Sequence, residues 1–388
     1  MVVPTQNLDK RAFIMIYGLL VICSVPLIIL LINVSTWYRP VDASPSVNAT
    51  VSVLIPARNE EQNIATCLQH ILSSTHTPYE IIVYNDNSTD KTAEILAGFQ
   101  NEYSFIKVLN GGSLPKGWMG KNHACHHLAH HATGDILLFI DADTQIQPSG
   151  IGHLAYCIQH HSLPSDLVTA LPRQIAGSWG EKILMPFLHL TFLAWLPLEL
   201  VRRSPLPSMT AAIGQVVMIR KTAYLQSGGF EAISSELVDD MAMATRFKRK
   251  GLHVRFIDGF NVAHCRMYTS FASVWKGFSK NMFLGLRKSI PLWFFVIGLY
   301  SCCFVLPFAL LFVLPWLSPQ AITVVMTCVC VNFTIRILMS IRYSQSIRHI
   351  VWHPIASFIV VALFINSGIQ TLMGNIKWKG REYSDVHT

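Results

Sequence analysis

Apolar residues follow two different patterns along this chain. Four long stretches carry almost no charge, and each is long enough to cross about 30 Å of hydrocarbon. Between the first and the second, short apolar runs alternate with segments of helical spacing. The long stretches are Ala12–Val34, Pro291–Leu317, Ala321–Ile341 and Val351–Ile376. They predict one N-terminal transmembrane anchor and a C-terminal group of about three membrane helices.

The central region has the rhythm of an α/β domain. Short runs rich in β-branched residues, such as VSVLIP, YEIIVY, FIKVLN and DILLFI, alternate with helical segments such as ATCLQHIL, KTAEILAGF and NHACHHLAHHA. Strands that alternate with helices favour a mostly parallel sheet with helices on both faces. Continuous apolar runs are typical of parallel strands that are buried on both sides.

These patterns predict three domains, with an anchor and linker over residues 1–40, an α/β domain over 41–285 and a membrane domain over 286–388. Arg39–Asn48 is rich in Pro and Ser, as expected for a linker. The apolar part of the anchor exceeds the 7–15 residues of a signal peptide core, so we expect it to be retained. Ile183–Leu198, interrupted by Pro186 and Pro197, is either buried core or an interfacial helix; the interfacial reading is favoured.

Composition agrees with a membrane protein. The chain is 51% hydrophobic and only 13% charged, against an ordinary ~25% charged. Its net charge of +8 is not concentrated in one long basic run, which favours contact with anionic lipid over nucleic-acid binding. The nine cysteines form no CxxC pair, and a reduced cytoplasmic setting is the preferred interpretation.

Polar clusters follow three of the predicted strands. Pro56–Glu60, Asn85–Asp90 and Asp141–Asp143 each begin where an apolar run stops. Ligands of open α/β sheets bind outside the carboxyl ends of the strands, so the three clusters predict one site. If Asp141 and Asp143 continue an extended strand, both carboxylates lie on one face. Such a pair repels itself unless a cation intervenes, and oxygen ligands suit Mg²⁺ or Mn²⁺. The alternative is a turn in which Asp143 caps the next element.

Three further features carry charge or metal-binding groups. Lys121 opens a helical stretch, near a positive helix end where phosphate binds well. Asp239 and Asp240 precede an amphipathic helix and either stabilise its N-terminus or provide a general base. Five histidines crowd one short helix at i,i+4 spacing that suits Zn²⁺, although histidines without metal are the preferred reading; they are His123, His126, His127, His130 and His131.

Residues near the membrane segments leave alternatives open. Lys280 and Asn281 suit either a pyrophosphate or lipid headgroup contact or a basic collar beside the membrane. Trp275 and Trp378 are read as interfacial anchors rather than substrate contacts. A cytoplasmic catalytic domain followed by three spans would place the basic tail outside, against the positive-inside tendency. Either one apolar segment is re-entrant or interfacial, or the tail is an exception.

Five motifs in order resemble those of family 2 glycosyltransferases of the GT-A fold: VSVLIPARNEEQNI, EIIVYNDNSTDKT, GDILLFIDADT, SGGF and VDDMAMATRFKRKG. The resemblance spans about Thr50–Phe260. GWMGKNHA, RMYTSFASVWKGFSKN and GNIKWKGREY narrow it to the membrane-anchored branch of hopanoid-associated, carotenoid-type and ceramide glucosyltransferases. The QxxRW signature of processive synthases is absent, which argues against polymer synthesis.

The resemblance implies a role for each matching residue. Those of the nucleotide site are Pro56, Ala57, Arg58, Glu60, Asp86, Lys121 and Asp141. Asp141 and Asp143 form the implied DxD motif, with Asp143 the direct ligand of Mg²⁺ or Mn²⁺. Asp240 matches the catalytic base, although Asp239 stands where the family usually has Glu. The acceptor side comprises Gln215, Gly228, Gly229, Phe230 and Lys280.

The resulting hypothesis is an inverting, metal-dependent transfer of sugar from a nucleotide sugar, most simply a UDP-hexose, to a lipid acceptor. The enzyme would act at the cytoplasmic face of a bacterial inner membrane, with no nucleic-acid partner. One alternative is a polyprenyl-phosphate sugar transferase. The alternative from another class is a catalytically silent membrane scaffold of the same fold.

Overall fold

The structure is a computed structural model that describes residues 5–40, 48–159, 165–374, 377–378 and 381–382. Most of the predicted linker, and the tail after Gly374 apart from four residues, lie outside the described residues, as does the side chain of Trp378. The chain divides into two compact units. The α/β unit comprises Trp37–Ile175 and Leu198–Met267, and the helical unit comprises the N-terminal helix, Ala176–Pro197 and the chain from Tyr268 onward.

Eight strands form the sheet of the α/β unit, and two short strands pair near the C-terminus. They are β1 Val51–Ala57, β2 Glu80–Asn85, β3 Ile106–Asn110, β4 Ile136–Ile140, β5 Thr144–Ile146, β6 Leu167–Gln174, β7 Val216–Arg220, β8 Val254–Cys265, β9 Lys377–Trp378 and β10 Arg381–Glu382. The order across the main sheet is β3-β2-β1-β4-β7-β6-β8-β5. Only β7 and β5 run against the other strands. The predicted α/β class with a mostly parallel sheet is therefore confirmed, within a mixed sheet.

Fifteen α-helices are described. They are α1 Thr5–Thr36, α2 Ile64–Leu72, α3 Thr92–Glu102, α4 Gly120–His131, α5 Gly150–Gln159, α6 Trp179–Leu184, α7 Pro186–Trp195, α8 Leu198–Arg203, α9 Lys221–Ser227, α10 Asp239–Arg249, α11 Phe271–Gly285, α12 Ile290–Phe304, α13 Leu306–Leu310, α14 Pro319–Arg342 and α15 His353–Leu372. Short 3-10 helices cover Glu231–Ile233, Leu311–Trp316 and Ile347–Trp352.

The strands bury both faces, because successive side chains point to opposite sides of a sheet. In β1, Val53 and Ile55 pack with α2, α3 and α5, whereas Leu54 packs with α4, α9 and α10. Val53 lies opposite Ile81 of β2 and Leu138 of β4, in parallel register. This register brings the carboxyl ends of β1, β2 and β4 to the same edge of the sheet.

The helical unit contains the predicted membrane segments. Ile14–Thr36, Pro319–Arg342 and Ile347–Leu372 are long and apolar enough to cross a membrane. Ile290–Phe304 and Leu306–Trp316 pass the same test only as a pair, and that pair is bent by 46°. The structure thus has three helices able to span a membrane within its described residues, or four if the bent pair is one span.

Ala176–Pro197 belongs to the helical unit and forms α6 and α7. Asn33 of α1 forms two hydrogen bonds with this segment. Its side-chain amide donates to the carbonyl oxygens of Leu193, at 2.8 Å, and Leu196, at 2.7 Å. Pro186 begins α7, where its missing N–H costs nothing. The proline that appeared to interrupt the segment therefore separates two short helices. Its position at a membrane interface stays a prediction.

Candidate active site

Two of the three polar clusters are joined by hydrogen bonds at the carboxyl edge of the sheet. The N–H of Asp86 donates to the carbonyl oxygen of Ala57 at 2.8 Å. Arg58 donates from Nη1 to the carbonyl oxygen of Asp86 at 2.8 Å, and the same nitrogen lies 3.7 Å from its carboxylate. The loops after β1 and β2 therefore hold each other, with Pro56 and Ala57 at the end of β1 beside them.

Glu60 has a structural position. Its N–H donates to Thr92 Oγ1 at 2.8 Å, and its carboxylate accepts from Asn63 Nδ2 at 2.8 Å. Glu60 thus connects the loop after β1 to the start of α2 and to α3. Its contact with a nucleotide stays a prediction.

Lys121 is the centre of the charged cluster. It occupies the first turn of α4, and its Nζ lies 2.7 Å from Asp141 Oδ1 and 3.5 Å from Asp239 Oδ2. Burial disfavours the charged form, but Asp141 and Asp239 outweigh it and raise the pKa of the lysine. One ammonium group therefore bridges the end of β4 and the start of α10.

The carboxyl group of Asp240 has a raised pKa. Burial and the neighbouring Asp239 together raise the pKa of Asp240 to about 7, against the opposing effects of the Met241 N–H, Lys121 and the Gly214 N–H. The Met241 N–H donates to Asp240 Oδ1 at 2.7 Å. A carboxylate that exchanges a proton near neutral pH suits general base chemistry.

Asp141 and Asp143 do not continue the strand. Ala142 and Asp143 form a turn after β4, and the Thr144 N–H closes it on the Asp141 carbonyl oxygen at 2.9 Å. The extended geometry expected from the sequence is therefore wrong, because this turn intervenes before β5. Asp141 lines the cavity described below and Asp143 does not. The side chain of Asp143 accepts from Thr144 Oγ1 at 3.3 Å.

The residues predicted for the acceptor side fall into both units. Gly229 has φ +54°, and a Cβ there would lie 2.3 Å from the Tyr224 ring, so only glycine fits. Phe230 lines the cavity and packs edge-on against Phe139, with ring centroids 5.2 Å apart. Gln215 is buried, and its carbonyl oxygen accepts from the Asp141 N–H at 3.1 Å. Lys280 lies in α11 of the helical unit.

Gly214 was missed by the sequence reasoning. A Cβ at this position would lie 3.1 Å from Lys121 Nζ and 3.6 Å from Asp240 Cβ. The glycine therefore lets the backbone approach both charged side chains. The only hint in the sequence is that Gly214 directly precedes Gln215 and β7. The chain has 22 glycines, and nothing in the sequence distinguishes this one from the others.

The charged groups surround a small cavity of about 20 Å³. Its lining includes Pro56, Lys121, Asp141, Asp239 and Asp240. This volume is close to that of one water molecule, whereas small-molecule sites occupy several hundred Å³. A nucleotide sugar therefore does not fit within this enclosed space alone.

Asp141 and Asp143 fit a divalent cation. The ammonium of Lys121 already lies against the Asp141 carboxylate, which shows that this carboxylate attracts positive charge. Across the described part of the chain, no group of three or more His, Cys, Asp or Glu side chains is placed to hold a metal ion. Mg²⁺ is commonly held by one or two carboxylates together with substrate phosphates, so two aspartates suffice.

Comparison with known proteins finds similarity to glycosyltransferases. Residues 52–226 match the family model described as glycosyl transferase family 2. The 4,4'-diaponeurosporenoate glycosyltransferase of Staphylococcus aureus strain bovine RF122 / ET3-1 is 25% identical over 351 residues, which cover 86% of this chain and 88% of that protein. The protein of the same name from strain USA300 is 25% identical over 350 residues, with the same coverage.

A solved structure shares the fold. The mannosyltransferase PcManGT from Pyrobaculum calidifontis, in complex with GDP-Man and Mn²⁺, aligns with a TM-score of 0.55 at 16% sequence identity. The alignment covers 94% of this chain and 97% of that one. The likeness therefore extends over nearly the whole of both chains.

Proposed function

We propose that this glycosyltransferase, whose residues 52–226 match the model of glycosyl transferase family 2 and which has the GT-A fold, transfers a hexose from a nucleotide sugar to a membrane lipid. The observation that carries this proposal is the convergence of Lys121, Asp141, Asp239 and Asp240 at the carboxyl edge of the sheet. This is the edge at which open α/β sheets bind ligands.

The donor is a nucleoside diphosphate sugar, and UDP-hexose is the first candidate. The linked loops of Arg58 and Asp86 provide a charged platform for the nucleoside. The N-terminus of α4 and the ammonium of Lys121 suit the diphosphate, because helix N-termini and cations both stabilise phosphate. The similar mannosyltransferase structure contains GDP-Man, so GDP-mannose is the second donor to test.

The acceptor is a lipid with a terminal carboxyl or hydroxyl group. The relatives at 25% identity are named for 4,4'-diaponeurosporenoate, a carboxylate. An enzyme with helices able to span the membrane stays at the surface where such an acceptor dissolves, which lowers the cost of bringing the reactants together. We place the catalytic domain on the cytoplasmic side of a bacterial inner membrane, where nucleotide sugars are available.

The reaction is a direct displacement with inversion. The acceptor oxygen attacks the anomeric carbon while the bond from that carbon to the diphosphate oxygen breaks. Asp240 accepts the proton of a hydroxyl acceptor, a contribution of about 10²–10⁴-fold for a well-placed base. Lys121 places its ammonium charge beside the developing charge of the diphosphate. Asp239 holds Lys121 in position through its 3.5 Å contact.

Asp141 and Asp143 would hold Mg²⁺ or Mn²⁺. When bound, the cation supplies positive charge beside the departing diphosphate. Because Asp141 now faces Lys121, binding of a cation requires that carboxylate to exchange one positive partner for another or to share both.

The test is sugar transfer by the full chain in detergent, with labelled UDP-glucose or GDP-mannose, Mn²⁺ or Mg²⁺ and extracted native lipid. We expect label in the lipid fraction with wild type, and loss of that label with EDTA, with Asp143→Ala and, for a hydroxyl acceptor, with Asp240→Asn. Glu236→Gln is the matched control, because Glu236 is an exposed carboxylate shortly before α10.

Each part of the proposal has its own contrary result. Transfer that persists in EDTA would reject the cation. Transfer to polyprenyl phosphate but to no other lipid would favour the alternative acceptor. Binding of UDP without turnover for every donor and lipid tried would favour a silent scaffold over an enzyme.

A further inference from the structure

Two histidines of α4 face each other in a cleft outside the catalytic cavity. His123 and His127 are one helical turn apart, and their Nε2 atoms are 3.1 Å from each other. The cleft has a volume of about 440 Å³ and is also lined by Tyr84, Asn110 and Ser113. It shares no lining residue with the cavity around Lys121. The pair therefore lies outside the cavity around Lys121.

We propose that His123 and His127 form a binding site for a divalent transition metal of the Zn²⁺, Ni²⁺ or Cu²⁺ class. Imidazole nitrogen suits these ions, whereas Mg²⁺ and Mn²⁺ prefer oxygen. Two zinc–nitrogen bonds of about 2.0–2.1 Å at a tetrahedral angle hold their nitrogen atoms about 3.3 Å apart. The observed 3.1 Å is close to that span, so the separation of the two nitrogens needs little change to hold the ion.

The surroundings of the pair favour ligand geometry. Tyr84 Oη lies 3.5 Å from His123 Nδ1, the nitrogen on the far side of the ring from the proposed ion. The Tyr84 ring also stacks on His127, with centroids 5.5 Å apart and planes 18° from parallel. One tyrosine thus orients both imidazole rings, as outer partners commonly orient metal-binding histidines.

Without a metal, the two facing nitrogens share one hydrogen. A separation of 3.1 Å is that of an N–H···N bond, in which one ring donates and the other accepts. A metal ion at both nitrogens would bind both lone pairs, and the donating ring would carry its hydrogen on Nδ1 instead. Binding needs both rings neutral, so affinity falls at a pH low enough to protonate them.

The coordination sphere is open. In the region that the structure describes, no third His, Cys, Asp or Glu completes the pair into a protein-only metal site. The remaining positions are therefore taken by water or by a small anion, and the cleft has room for both. Such a site binds metal reversibly rather than serving as a permanent structural centre.

Trp118 supplies a local reporter. Its ring centroid lies 5.5 Å from that of His123, and Cu²⁺ quenches tryptophan fluorescence at such short range. The full chain in detergent would be stripped with EDTA and titrated with Cu²⁺ or Ni²⁺, using fluorescence, and with Zn²⁺, using calorimetry. Subtracting the titration of Trp118→Phe isolates the signal of this residue from the other eight tryptophans.

We expect one saturable equivalent in wild type and at least tenfold weaker binding in His123→Gln and in His127→Gln. His130→Gln is the matched control, because His130 lies on the same helix and packs edge-on against His126 rather than against the pair. Asp143→Ala should bind the transition metal as wild type does, which separates this site from the catalytic cation and from the proposed reaction. Tyr84→Phe should weaken binding by less than removal of either histidine.

Two results would overturn the proposal. Equal affinity in wild type and His127→Gln would mean an adventitious ion only. An equal loss in His130→Gln and His127→Gln would mean diffuse binding to a histidine-rich helix rather than a site. Circular dichroism of each variant shows that α4 is still folded, so a lost site is distinguished from a lost helix.

Discussion

Lys121 Nζ lies 2.7 Å from Asp141 Oδ1 and connects the first turn of α4 to the end of β4. Asp239 approaches the same ammonium at 3.5 Å. The lysine therefore keeps two carboxylates together that would otherwise repel each other, in a cavity about the size of one water molecule. Its removal should affect both the charge balance of the site and its affinity for a diphosphate.

Lys121→Met should raise the KM for the nucleotide sugar and lower kcat/KM by about 10²-fold, since a charged hydrogen-bonding partner of the diphosphate is lost. Steady-state kinetics at saturating lipid measures this effect. Lys116→Met is the control, because Lys116 is an exposed lysine of the preceding loop. An unchanged KM in Lys121→Met would contradict the assignment of this lysine to the donor.

The pH dependence of the reaction should report Asp240. Burial raises the pKa of this carboxyl group to about 7, and the base acts only when deprotonated. The rate with a hydroxyl acceptor should therefore rise with pH through about 7 and level off above it. Bound divalent cation should move this limb to lower pH, because nearby positive charge favours the carboxylate.

Asp240→Asn should abolish that limb and reduce kcat by about 10²–10⁴-fold with a hydroxyl acceptor. A carboxylate acceptor is already ionised at neutral pH and needs no base, so the same variant should lose much less activity with it. Comparing the two acceptors in one preparation distinguishes these chemistries. A limb near pH 7 that persists in Asp240→Asn would assign the titration to another group.

The turn formed by Gly228, Gly229 and Phe230 allows a test of how tightly Gly229 packs against Tyr224. Gly229→Ala should destabilise the α/β unit by several kcal/mol, since its Cβ would lie 2.3 Å from the Tyr224 ring at φ +54°. Gly251 has φ +73° and open space around it, so Gly251→Ala measures the backbone strain alone, about 1 kcal/mol. Thermal unfolding in detergent compares the two. Equal melting temperatures would show that Tyr224 moves aside freely.

Glu80 provides a stability test away from the site. It is buried at the start of β2 and accepts from Ser52 Oγ at 2.7 Å, the Thr133 N–H at 2.6 Å and Lys107 Nζ at 2.8 Å. Burial alone would raise its pKa, but these donors outweigh it and lower the pKa to about 2. Glu80→Gln should cost about 2–3 kcal/mol, because buried bonds to a charged group are lost.

The sign of the pH effect follows from that lowered pKa. The stabilisation from Glu80 is complete above the ordinary glutamate value near 4.5 and disappears as pH falls toward about 2. Unfolding midpoints of wild type should therefore decline between pH 5 and 2 more steeply than those of Glu80→Gln. Glu94→Gln, an exposed carboxylate of α3, should follow wild type throughout.

Much of the fold was accessible from the sequence because the strands are buried on both faces. Continuous apolar runs such as Ile136–Ile140 identified β4, and the polar residues after each run indicated the edge where the site lies. The approach of Lys121 to Asp141 and Asp239 was not accessible, since it depends on how α4 and α10 pack on the same face of the sheet. The spacing of the histidines was visible, but the facing of two Nε2 atoms required ring orientations set by Tyr84.

The turn at Asp143 shows why local geometry was misjudged. Two aspartates separated by one residue lie on the same face only if the strand continues through both. The residue types of Asp141–Asp143 do not indicate where β4 ends. Thr144 closes the turn on Asp141 through a backbone bond, which any residue type there could make. Gly214 was missed for a related reason, because its importance comes from neighbours distant in sequence.

The pair Ile290–Phe304 and Leu306–Trp316, bent by 46°, is either one broken span or a re-entrant loop, and the two cases differ in the parity of membrane crossings. A pair that turns back within one leaflet adds no crossing, which leaves only Pro319–Arg342 and Ile347–Leu372 after the catalytic domain. Two crossings return a chain to the compartment it left. In the re-entrant case Lys377 and Arg381 would lie in the compartment of the α/β unit, which is the side that the positive-inside tendency predicts for basic residues if that unit is cytoplasmic.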